Sequence, residues 1–186
     1  MAPPTASAAL PRTASPVSFR ERLIATWGVL NVALLLGQAL VRLTPLALEP
    51  LRGEGLSPAL MALYVGWVVF NAYAEGWRGF HLKFAPRVVA RAFHLGRHPR
   101  PLWLILALPF CMSLFHATRR QRIVSWVLIL VLTSVILAVR ALPQPWRGII
   151  DGGVVVGLGL GLASVLYYWL RGLAGAPPPV SDLPEP

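Results

Sequence analysis

The sequence predicts an all-α integral membrane protein, a bundle of about five transmembrane helices with a short interfacial amphipathic helix after the second. Three observations carry this. Of 186 residues 56% are hydrophobic and 13% charged, too little charge to coat a soluble domain of that size. The apolar residues gather in uncharged runs, at Leu23–Val41, Gly55–Ala74, Pro101–Thr118, Ile123–Val139 and Gly152–Leu170. Each run is near the length of about 20 residues that a helix needs to cross a hydrocarbon core roughly 30 Å thick. The strands of a membrane barrel would be half as long and would alternate polar with apolar.

Along the chain, residues 1–18 hold four prolines and no acid and read as a disordered tail. No small-residue cleavage site follows the first apolar run, so the tail leads into an uncleaved signal anchor. The transmembrane domain covers 19–172, with spans near 23–43, 56–76, 101–118, 123–140 and 149–170. Pro109 interrupts the third run, which leaves a re-entrant course open for it. Residues 173–186, ending PPPVSDLPEP, form a second disordered tail. No internal repeat is visible, which argues against an inverted-repeat transporter.

Between the second and third runs, "FAPRVVARAFHL" puts Phe84, Val88, Ala92 and Leu95 on one side and Lys83, Arg87, Arg91 and His94 beside them. Pro86 suits a first helical turn. This is the pattern of an interfacial helix near 86–95, with Lys83, Arg87 and Arg91 contacting anionic lipid headgroups.

Orientation follows from counting lysine and arginine on each side. With five spans, one side holds eleven basic residues and the other six. The N-terminus is then cytoplasmic and the C-terminus outside. "ATRRQR" sits badly in that arrangement, because Arg119, Arg120 and Arg122 fall in an outer hairpin. A re-entrant third run would put thirteen basic residues inside and four outside.

Charged groups in a bilayer are costly and usually face a bundle interior. In the first span Asn31, Gln38 and Arg42 share a stripe; in the second, Asn71, Glu75 and Arg78 do. Antiparallel packing would bring Asn31 and Asn71 to a similar depth. Asp151 stands four residues from Arg147, the spacing of a helical ion pair. Asn31, Asn71, Glu75, Arg78 and Asp151 therefore form the candidate polar site, against the plainer reading that they only fix helix packing. In "DGGVVVGLGLGLAS", Gly153, Gly157, Gly161 and Ser164 recur every three or four residues and make a flat face for close helix packing.

Signatures of chemistry are sparse. A single cysteine, Cys111, excludes an intrachain disulfide and a cysteine-based metal cluster. His94 and His98 have metal-ligand spacing, but Gly96 and Pro99 interrupt the helix and no third ligand is near. No metal and no cofactor are expected, and no nucleophile motif or phosphate loop occurs. The net charge of +10 is interleaved with apolar runs, which points to headgroups and topology rather than nucleic acid. Trp103, Trp126, Trp146, Tyr167 and Trp169 fit an interfacial aromatic belt. Arginine outnumbers lysine sixteen to one, with abundant alanine, glycine and proline, as in a GC-rich bacterial genome.

The sequence thus predicts a small polytopic protein of a bacterial inner membrane, a non-enzymatic accessory or assembly subunit of a membrane complex. Its partners would be the lipid bilayer with its anionic headgroups, and other membrane subunits or a second copy. A transporter or channel component with a polar path near Asn31, Asn71 and Glu75 is one alternative. A membrane enzyme acting on a lipid or isoprenoid phosphate is another.

Overall fold

A computed structural model describes residues 17–52 and 56–178; the two predicted disordered tails, apart from their inner edges, lie outside the described residues. The described residues are helical, with no strand among them, and three helices are long and apolar enough to cross a membrane. These are α1 (Phe19–Arg52), α6 (Arg119–Arg140) and α7 (Trp146–Leu173).

Helix α1 is longer than its apolar run. It begins at a capping box, with the Ser18 hydroxyl accepting from the Glu21 N–H and the Glu21 carboxylate accepting from the Ser18 N–H, each at 3.2 Å. It then continues through Pro45 and Pro50 to Arg52. A helical proline removes the bond to the carbonyl four residues back. For Pro50 that carbonyl belongs to Leu46, and it lies against Gly148 of α7. Tertiary packing covers what the proline frees, and the helix does not stop.

The second apolar run and the basic stretch after it form one continuous rod. It starts at the Ser57 cap with Pro58 in its first turn and runs as α2 (Pro58–Asn71), a π-helix (Ala72–Phe84) and α3 (Ala85–Arg97). The junction residues Asn71, Ala72, Phe84 and Ala85 all have right-handed helical torsions, so nothing breaks the rod. The separate interfacial helix near 86–95 is not what forms. Its residues lie in the core, with Val88, Val89, Ala90, Arg91, Ala92, Phe93 and Leu95 all buried.

Helix α7 is the centre of the bundle. It packs antiparallel to α1, with Gly148 on Pro50 at one end and Trp169 bonded to Thr26 at the other. It packs parallel to the rod: Gly153 meets Trp67 and Asn71, Gly157 meets Glu75, Gly161 meets Phe80, and Gly172 meets Phe93. Here the π-helix matters. Asn71, Gly76 and His81 all face α7, against Gly153, Leu160 and Ser164. They are spaced five apart, which an i→i+5 helix keeps on one face and an α-helix does not.

Residues 101–118 do not form a straight span. They make two short helices, α4 (Pro101–Ile105) and α5 (Ala107–Cys111), broken at Leu106, then a turn with positive φ at Ser113 and His116. Non-helical backbone in an apolar setting persists only where its polar groups are satisfied by protein. Arg91, 0% exposed, supplies this: it donates to the carbonyls of Phe110 (2.6 Å), Phe115 (3.1 Å) and His116 (3.0 Å) and lies over the Phe110 ring. The sequence reading gave Arg91 to lipid headgroups. Its three carbonyl bonds hold it inside instead.

The start of α1 and the end of α7 lie together, joined by the Trp169–Thr26 bond, and the end of α3 meets the start of α1 where Gly96 packs on Glu21. A five-span chain would separate them. Arg97 and Glu21 form an ion pair at this end, 2.6 Å apart. Helix α6 begins here, where Trp126 donates to the Leu114 carbonyl, and returns to the other end with most of its apolar surface exposed.

Candidate functional site

The five residues of the candidate polar site do not converge. Asn31 donates to the carbonyl of Trp27 in its own helix, at 2.8 Å. Asn71 does the same with Trp67, at 2.9 Å, and faces Gly153. The pairing of Tyr64 with Ala47 and of Ala92 with Gly28 sets the register between α1 and the rod. That register places Asn71 near the level of Arg42, roughly 15 Å along the axis from Asn31. Equal depth for the two asparagines fails because α1 continues through Pro45 and Pro50 to Arg52, which moves its connection to the rod away from Asn31.

Glu75 is half-buried against Gly157, but Arg78 is exposed and no ion pair joins them among the described residues. The expected stripe assumed α-helical spacing of four and three. In the π-helix the face toward α7 passes through Asn71, Glu75–Gly76 and Phe80–His81, and Arg78 turns away. Asp151 is buried, 3.7 Å from Arg147, and faces α1 and α6 rather than the rod. Lys83 is exposed and Arg87 half-buried.

Two polar arrangements come from tertiary structure alone. The first pairs His81 with Ser164: Nδ1 is 3.1 Å from the serine oxygen, beside a small cavity that includes Trp77 and Tyr167. A serine and a histidine in reach suggest a nucleophile. However, the Ser164 hydroxyl donates to the Leu160 carbonyl at 2.7 Å, which uses its one proton. His81 must then donate to the serine oxygen, whereas an activating base would accept from it. The contact is a clamp between helices, and no sequence motif announces it.

The second is a groove of about 300 Å³ between α1, α6 and α7. Its walls are mostly aliphatic, and its polar residues are Gln38, Arg42, Arg140, Arg147 and Asp151. Arg147 and Asp151 have the helical spacing read from the sequence. Arg42 and Arg140 join them only because α6 ends where α7 begins and α1 passes alongside.

At the opposite, basic end, burial pushes the His94 imidazole down to about 4, helped by the neighbouring positive charge of His98 and Arg91. His94 and His98 lie with ring centroids 4.8 Å apart. Among the described residues no group of three or more His, Cys, Asp or Glu side chains is arranged to hold a metal ion. No family model matches the chain, and neither a curated protein nor a solved structure does.

Proposed function

We propose that this is a small polytopic inner-membrane protein that acts as a non-enzymatic accessory or assembly subunit of a membrane complex. The observation that carries the reading is α6. It is a 22-residue apolar helix that runs the height of the bundle, yet it touches the rest of the chain mainly at its two ends. A helix already inside the bilayer gains little from burying apolar surface again, so lateral association depends on shape and on polar contacts. Helix α6 offers a long unpacked flank for a neighbouring subunit, with Thr133 and Ser134 exposed in its second half. The dispersed polar residues favour this over a transporter, because Asn31 and Asn71 do not share a path.

In the bilayer the chain crosses four times: through α1, the rod, α6 and α7. Residues 101–118 stay at the basic end. That end gathers Arg20, Arg22, Arg97, Arg100, Arg119, Arg120, Arg122 and Arg171, which the charge rule assigns to the cytoplasm. Both chain ends are then cytoplasmic. A reporter fused after Gly175 is expected to signal from the cytoplasm; an external signal would restore five crossings and refute this arrangement. For the subunit role, a photo-crosslinking residue placed at Val131 should capture a discrete membrane protein in cells. Capture of lipid alone would refute the role.

A further inference from the structure

The groove between α1, α6 and α7 stands at the arginine-poor end of the bundle. Among the described residues that end carries Arg42, Arg52, Arg140 and Arg147, and three of them, from three different helices, line this groove. Charges that only set topology need not meet. Among the described residues no carboxylate pairs with Arg42 or Arg140, and the groove's one acid, Asp151, is opposite Arg147. Three arginines against one aspartate leave the rim with a positive excess.

The rim is also incompletely bonded. At 3.7 Å the Arg147–Asp151 contact is too long for a hydrogen bond. Arg147 Nε and Asp151 Oδ2 are both buried and neither has a hydrogen-bond partner. A donor and an acceptor therefore stand side by side, an arrangement that suits a hydroxyl able to accept from Nε–H and donate to Oδ2. Away from this rim the walls are aliphatic, with side chains such as Leu35, Val135 and Val154. A volume of about 300 Å³ is at the small end for ligand sites and has room for part of an acyl chain.

We propose that this groove binds an anionic membrane lipid whose headgroup is a phosphate. Arg42, Arg140 and Arg147 hold the phosphate, and part of an acyl chain lies along the aliphatic walls. Guanidinium groups match phosphate oxygens in geometry as well as charge. Free phosphate would use the rim alone and leave the apolar walls exposed, so the occupant is a lipid. This inference is independent of the subunit role, and either can fail without the other.

The test uses the full chain, purified in neutral detergent and stripped of lipid. It is titrated with dioleoyl phosphatidic acid, with dioleoyl phosphatidylcholine and with inorganic phosphate, reading bound lipid by native mass spectrometry and stabilisation by thermal unfolding. Phosphatidic acid should bind one per chain, at least tenfold tighter than phosphatidylcholine. The double variant Arg42→Gln, Arg140→Gln should lose at least tenfold in that affinity while unfolding, without lipid, at the parent's temperature. Arg119→Gln with Arg120→Gln, which removes the same charge from the other end, should stay within twofold of the parent. Ala39→Phe, which fills the groove from α1, should weaken phosphatidic acid by tenfold or more. The proposal is overturned if both arginine pairs lose affinity equally, since attraction would then be unspecific. It is also overturned if inorganic phosphate stabilises the chain as well as the lipid does, or if Ala39→Phe binds like the parent.

Discussion

Arg91→Met is the perturbation that most directly tests how the fold is held. The guanidinium makes three hydrogen bonds to carbonyls of the turn that follows α5 and stacks on Phe110. Hydrogen bonds to a charged group contribute roughly 1.5–3 kcal/mol each, so three contribute on the order of 4–9 kcal/mol. Methionine removes a buried charge as well, which recovers several kcal/mol of desolvation cost. The net loss is about 3–5 kcal/mol, a large part of the roughly 5–15 kcal/mol that stabilises a typical fold. Arg91→Lys keeps the charge, but a single ammonium cannot span carbonyls on Phe110, Phe115 and His116, so it should fall between the two. The assay is thermal unfolding in detergent, paired with maleimide labelling of the buried Cys111, which packs against Gly28 beside the turn. Methionine should lower the unfolding temperature by several degrees and open Cys111 to label, with lysine intermediate. If the methionine variant unfolds at the parent's temperature with Cys111 still protected, the arginine does not hold the turn.

Other perturbations follow from the same packing. His94 takes up a proton near 6.5 in the unfolded chain but only near 4 in the folded one, so stability should fall as pH is lowered between those values and level off below. Solvent screening at a half-buried ring limits that loss to roughly 1–2 kcal/mol; a His94→Gln variant should lack the slope, and an unchanged slope would assign it to another group. A Cβ on Gly157 would stand 2.7 Å from Glu75 Oε2, so Gly157→Leu should force α7 from the rod and cost about 1–3 kcal/mol or more. Thermostability equal to the parent's would contradict that close approach. Glu75→Gln should change stability by less than about 1 kcal/mol, because no ion pair is lost. A glutamine variant that folds normally yet fails to complement a deletion strain would give Glu75 a functional role.

Much of the architecture was legible from local pattern, for a physical reason. An apolar helix in a bilayer satisfies its backbone within itself, so the runs beginning at Leu23, Ile123 and Gly152 declare helices without reference to neighbours. The Ser18–Glu21 capping box was not read from the sequence, although both its hydrogen bonds are local. Three features depended on contacts distant in sequence. Arg91 looked like a headgroup anchor because its side chain faces the basic stripe of its own helix, and only the turn at residues 110–116 gives it three carbonyls to bind. The Asn71–Glu75–Arg78 stripe rested on α-helical spacing, and packing against α7 instead brings residues five apart onto one face in a π-helix. Arg42, Arg140 and Arg147 are scattered over more than half the chain, and only the return of α6 beside α1 and α7 gathers them at one groove. The one-dimensional pattern determined which segments are helical and apolar; side-chain contacts between segments decided their register, which charges are buried, and where a site can form.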